Sequence, residues 1–103
     1  QIIAIQPDSP FHGLEGMKHM LTSLQPAIYD AHFPDRTIEV RTEDAQAMAK
    51  RLAKEEGFLV GVSSGATVTA ALKIAGELRK GVIVAVCADG GDRYLSEHFW
   101  DAA

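Results

Sequence analysis

Two runs of small and acidic residues carry the makings of a ligand site. The first, Gly61-Val62-Ser63-Ser64-Gly65-Ala66, leads from an apolar segment through small side chains into a helix. Small residues let a ligand approach the backbone closely. A helix start leaves unpaired N–H groups and a partial positive charge. Such a place suits a phosphate, a carboxylate or a polar heterocycle. A structural reading stands beside this one: Ser63 or Ser64 caps the helix and Gly65 eases a bend. The same residues also fit G-x-S-x-G, the nucleophile elbow of hydrolases, with Asp89 and His98 following in the order serine, acid, histidine. Two features weigh against a hydrolase. Little chain precedes the motif to build the sheet an elbow needs, and Asp89 and His98 are only nine positions apart.

The second run, Asp89-Gly90-Gly91-Asp92-Arg93-Tyr94, follows an unbroken apolar stretch, Val82 to Cys87. In open α/β sheets ligands bind beyond the carboxyl ends of strands. A carboxylate at Asp89 is therefore placed to meet a protonated ring nitrogen or a substrate amine. The structural alternative is a plain turn, since Asp-Gly-Gly is common turn chemistry. The four histidines, His12, His19, His32 and His98, share no spacing that would gather a metal, and the single Cys87 excludes an internal disulfide and a cysteine zinc site.

These runs need elements to hold them. Residues 1–6 read as a buried parallel strand, stopped by Pro7-Asp8-Ser9-Pro10. A short helix is expected around Leu14–Leu21, and Gln25–Asp35 reads as an ordered loop before a strand at Thr37–Val40. The next helix is the clearest. Thr42 is its expected N-cap, Glu43 and Asp44 suit its first turn, Ala45, Met48, Ala49 and Leu52 form one apolar face, and Gly57 ends it. Phe58–Val62 is expected to be buried. The helix after it is expected to pack through Val68, Ala71, Leu72, Ala75 and Leu78. Val82–Cys87 is predicted to be a central parallel strand covered on both faces. Alternating strands and helices of this kind make an α/β layer.

The chain has 103 residues, 47% of them hydrophobic, and a net charge of −4. That supports one small α/β unit. The scattered basic residues form no stripe for nucleic acid, and no apolar run is long enough for a membrane span. The lone cysteine suits a reducing, cytoplasmic compartment. The opening Gln1-Ile2-Ile3-Ala4-Ile5 begins inside a strand pattern, as expected of a piece of something longer.

Taken together, Glu55 to Ala66 and Gly91-Asp92-Arg93-Tyr94-Leu95-Ser96 resemble the C-terminal region of the cysteine synthases (O-acetylserine sulfhydrylases), with a lean toward their B-type. The likeness extends over nearly the whole chain, with Ile2–Pro7 and Pro26-Ala27-Ile28-Tyr29 in matching places. It implies an α/β fold, the C-terminal part of a fold type II pyridoxal-phosphate enzyme, with residues 1–103 forming one partial domain. It implies pyridoxal 5′-phosphate as cofactor and a transferase that makes L-cysteine by β-replacement. Either O-acetylserine or O-phosphoserine would lose its leaving group from Cβ, and sulfide or thiosulfate would add. It implies a homodimer. Ser63 carries over as the cofactor contact, and Asp89 stands in the segment that approaches the ring, where many relatives have serine.

The family's Schiff-base lysine, substrate loop and phosphate loop lie upstream of this region. Lys18, Lys50, Lys54, Lys73 and Lys80 fit helix surfaces or ends instead. The resemblance thus implies that the chain supplies one wall of a site, needs the N-terminal part of the same enzyme, and has no synthase activity alone. Cystathionine synthesis, serine or threonine dehydration and a non-catalytic binding role stand as alternatives.

Overall fold

The computed structural model describes residues 1–101. Two parallel strands, β1 (Ile3–Pro7) and β2 (Arg36–Val40), pair in register from Ile3 opposite Arg36 to Pro7 opposite Val40. Helices α1 (Thr42–Glu56) and α2 (Val62–Glu77) follow and pack on each other and on the strands. Two 3₁₀ turns, Gly91–Tyr94 and His98–Asp101, close the described chain. The α/β class and the parallel layer with flanking helices are as expected. The core gathers Leu14, Ile38, Val40, Ala45, Val62, Ala66 and Ala70 between the sheet and the helices.

Parallel strands need a long connection, usually a helix. Here residues 8–35 cross without one. The helix expected at Leu14–Leu21 is a series of turns, in which Met17 N–H meets the Leu14 carbonyl and both Thr22 and Ser23 N–H meet that of His19. Gly13 and Gly16 lower helix propensity, and Gly16 takes a positive φ of 88° that breaks the helical path. Leu14 still anchors the crossover by being fully buried.

α1 follows its sequence pattern. Ala45 and Ala49 are buried, with Met48 and Leu52 half-buried beside them. Gly57 adopts the left-handed conformation, φ 72°, and the Phe58 N–H returns 3.0 Å to the Leu52 carbonyl, closing the helix end. The N-terminus differs from expectation. Arg41 takes the cap position without a side-chain cap, and Thr42 is already helical. Its Oγ1 accepts a hydrogen bond from Gly13 N–H at 3.0 Å, so the hydroxyl ties the crossover to α1 instead of capping it.

α2 buries a different face from the one its spacing suggested. Val62, Ser64, Gly65, Ala66 and Ala70 are inside, whereas Leu72, Ala75 and Leu78 are exposed. The smallest residues win the inward face because α1 crosses closely: a Cβ on Gly65 would collide with the Ala45 carbonyl oxygen. Apolar residues remain on the other side, so α2 is apolar around most of its circumference.

Phe58 and Leu59, expected inside, are exposed, and only Gly61 and Val62 of that segment are buried. Val82–Cys87 forms no ladder with any described residue. Val82 and Val84 are 92% and 85% exposed. An apolar cleft of about 380 Å³ separates this segment from β1 and α2, with Ile3, Ile5, Ala70 and Ile74 on its walls. A strand exists through the backbone groups of its neighbours, and no described element brings an edge to this one.

Candidate functional site

The site is built at the N-terminal end of α2. Gly61 occupies the cap position in extended conformation and offers no side chain to the first turn. The Gly65 N–H bonds the Gly61 carbonyl at 3.1 Å, which starts the helix. The amides before it have no side-chain cap, so this end keeps its donors and its positive partial charge. Ser63 lies in the first turn, half-buried, and its carbonyl accepts from Thr67 Oγ1 at 3.1 Å. Ser64 turns inward, and its Oγ is buried with no hydrogen-bond partner.

The second predicted run folds back onto this helix start. The Gly61 N–H donates to the Asp89 carbonyl at 3.2 Å, and the Gly91 N–H donates to the Leu59 carbonyl at 3.0 Å. Val60 and Gly90 form an antiparallel bridge between them. Ser63 and Asp89, 26 positions apart in sequence, thus share one end of α2.

The Asp89 carboxylate is held from two sides. Tyr94 donates its hydroxyl to Oδ2 at 2.5 Å. Oδ1 is buried without a hydrogen-bond partner, pressed against Gly61 so closely that a Cβ there would overlap it. The Tyr94 pKa is raised, first by this hydrogen bond, then by burial and the negative charges of Asp89 and Glu15, with Arg93 opposing. The Tyr94 carbonyl in turn accepts from Trp100 Nε1 at 2.8 Å, anchoring the tail to the loop.

This geometry does not support the hydrolase alternative. Ser63 is helical, no residue other than glycine among those described has a positive φ, and the strained elbow is missing. No hydrogen bond joins Ser63 to His98, and Asp89 is engaged by a tyrosine. His12 Nδ1 accepts from Leu14 N–H, and His19 pairs with Thr22, both local contacts. Cys87, Asp92 and Arg93 are exposed.

Two residues of these runs, Tyr94 and Gly61, take contacts with Asp89 that the sequence reading did not assign them. Tyr94 was legible only as part of a motif, although the Gly90-Gly91 turn between it and Asp89 is the kind that doubles a chain back. Gly61 gave no sign of its role, because the atoms it makes room for lie 28 residues further on.

A family model described as pyridoxal-phosphate dependent enzyme matches residues 2–89. The chain is 51% identical to a cysteine synthase of Aquifex aeolicus over 93% of its own length and 31% of that protein's. It is 40% identical to cysteine synthase B of Pseudomonas aeruginosa, over 98% of the chain and 33% of the relative. It superposes on the crystal structure of a cysteine synthase from Entamoeba histolytica with a TM-score of 0.89 at 32% identity, covering all of this chain and 33% of that one. It spans about a third of the length of the curated relatives it matches. With most of its residues inside the family match and its backbone superposing throughout, the chain belongs to the pyridoxal-phosphate dependent enzymes.

Proposed function

We propose that this chain works as part of a cysteine synthase that makes L-cysteine by β-replacement on O-acetylserine or O-phosphoserine, with sulfide or thiosulfate as sulfur donor. The observation that carries the reading is the convergence of Ser63 and the Asp89 loop on the uncapped end of α2, in a chain 51% identical to a cysteine synthase.

The residues present fit one face of the cofactor. The first-turn amides of α2 lack a side-chain cap, and Asp89 Oδ1 is a buried acceptor with no donor. Ser63 would hold the ring by its hydroxyl, with Asp89 beside it. When bound, pyridoxal phosphate supplies the electron sink for chemistry at Cα and Cβ of an amino acid. The chain's own part is to orient the ring and exclude water from that face.

The group that would bind the cofactor covalently belongs to the N-terminal part of the same enzyme. Lys18, Lys54, Lys73 and Lys80 are exposed. We take residues 1–103 as one partial domain, completed by that upstream part and, as in a homodimer, by a second copy. No helix of the described residues is long and apolar enough to cross a membrane. An exposed free Cys87 suits a reducing, cytoplasmic setting.

A hybrid tests this directly. The corresponding third of the Aquifex aeolicus enzyme is replaced by this chain, and cofactor absorbance and cysteine formation from O-acetylserine and sulfide are measured. The expected result is a yellow, active hybrid, while the 103-residue chain alone turns over nothing. A folded hybrid that takes up no pyridoxal phosphate would overturn the reading.

A further inference from the structure

The Asp89 carboxylate is placed oddly for a simple ligand. One oxygen is taken by Tyr94 at 2.5 Å and the other is pressed against Gly61 at the head of α2. Gly61 has no side chain with which to cap that helix, and no other residue supplies a side-chain cap. A carboxylate at a helix N-terminus favours the helix through its dipole. The Asp89 carboxylate, delivered from the loop after Cys87, therefore lies beside the helix entry, where its charge acts through the dipole while Oδ1 makes no hydrogen bond to the first-turn amides. The same loop is stitched to the helix entry by the Gly61–Asp89 and Gly91–Leu59 backbone hydrogen bonds. Ser63 stands two residues into the helix whose start is fixed in this way.

We propose that Tyr94 is a positioning residue: by donating its hydroxyl to Asp89 it holds the carboxylate against Gly61 and so fixes the first turn of α2 that presents Ser63. This deepens the cofactor-site reading above and rests on it. Asp89 then acts on the cofactor largely through Ser63. Phenylalanine at 94 keeps the ring that packs beside Gly61 but removes the donor. Oδ2 is then left without its partner, and the carboxylate is free to swing away from the helix.

Two measurements test this. The first needs no cofactor. The chain has two tyrosines, Tyr29 and Tyr94. In an ultraviolet pH titration of the chain, Tyr94 should ionise above the ordinary phenol range, because its hydrogen bond to Asp89, then burial and the charges of Asp89 and Glu15, outweigh Arg93. Asp89→Asn should bring it back toward that range. The second measures the Kd for pyridoxal phosphate by fluorescence in the holoenzyme that carries this chain. Tyr94→Phe and Asp89→Asn should each weaken binding about tenfold, the size expected of a lost hydrogen bond to a charged group. The double variant should be no worse than either single change, because both break one link. A residue serving stability alone would lower the melting temperature and leave Kd unchanged.

Normal cofactor binding by Tyr94→Phe, or a Tyr94 titration that ignores Asp89→Asn, would overturn the proposal and leave the cofactor site standing. A wild-type holoenzyme that binds no pyridoxal phosphate would overturn both, whatever the phenol titration shows.

Discussion

The backbone carbonyl of Ala45 in α1 lies where a side chain on Gly65 of α2 would have to sit. The Ala49 amide closes the same space, 3.1 Å from the ideal Cβ position. Both neighbours are helix backbone and cannot turn aside. Gly65→Ala is therefore expected to destabilise the chain by about 1–3 kcal/mol, the cost of overpacking a tight interior. Gly76, near the end of the same helix, has open space around it, with nothing within 4 Å of the position a methyl group would take. There Gly→Ala should stabilise by about 0.5–1 kcal/mol through helix propensity. Urea unfolding of the two variants checks both signs at once; equal effects would mean that the helices do not cross at Gly65.

Stability should fall at alkaline pH through Tyr94. Its pKa is raised in the folded chain, chiefly by the hydrogen bond to Asp89. A group with a raised folded pKa contributes fully below its unfolded value and loses that contribution as pH rises through the folded one. The loss therefore begins near the ordinary tyrosine value of about 10 and continues above it. Thermal unfolding followed between neutral and strongly alkaline pH should show this decline. Tyr94→Phe should flatten it, whereas a decline unchanged by that substitution would place its origin elsewhere.

Ser63→Ala separates a cofactor contact from a nucleophile. The side chain sits in the first turn of α2 with no hydrogen-bond partner among the described residues, so its removal should change stability by less than about 0.5 kcal/mol. In the holoenzyme it should weaken pyridoxal phosphate binding roughly fivefold to tenfold, the worth of one neutral hydrogen bond. A Ser63→Ala enzyme with unchanged cofactor affinity and visible spectrum would remove Ser63 from the site.

What could be read from the sequence was set by how local its causes are. α1 was legible because Ala45, Met48, Ala49 and Leu52 repeat at helical spacing and Gly57 stops the helix through its own φ. β1 was legible as an apolar run stopped by Pro7 and Pro10, and β2 as the short strand after the Gln25–Asp35 loop. The inward face of α2 was not, because its apolar residues surround the helix and the choice is made by how closely α1 approaches Gly65. Thr42 looked like a cap because nothing near it shows that Gly13, 29 positions earlier, needs its hydroxyl. Ser63 and Asp89 were singled out by motif, and their shared place at one helix end depends on hydrogen bonds between segments far apart in the chain. Val82–Cys87 reads as a buried strand and is exposed here. Apolar character marks a need for partners, and no described residue supplies them as a ladder.

That exposure gives a sharp test of what completes the fold. Val84 is 85% exposed and its neighbours form no ladder. In the chain alone, Val84→Asp meets water on most sides and should shift stability by no more than about 0.5 kcal/mol. If the upstream part of the enzyme covers the segment as a central strand, the same carboxylate must be buried in the holoenzyme without a partner. The cost should then be several kcal/mol, enough to abolish folding or cofactor retention. Cys87 reports on the same segment without any substitution. Exposed here, it should react readily with a thiol reagent in the isolated chain. In the holoenzyme it should be protected. A Val84→Asp change tolerated equally in both, with Cys87 equally reactive, would show that the apolar segment stays uncovered and that the partial-domain reading is wrong.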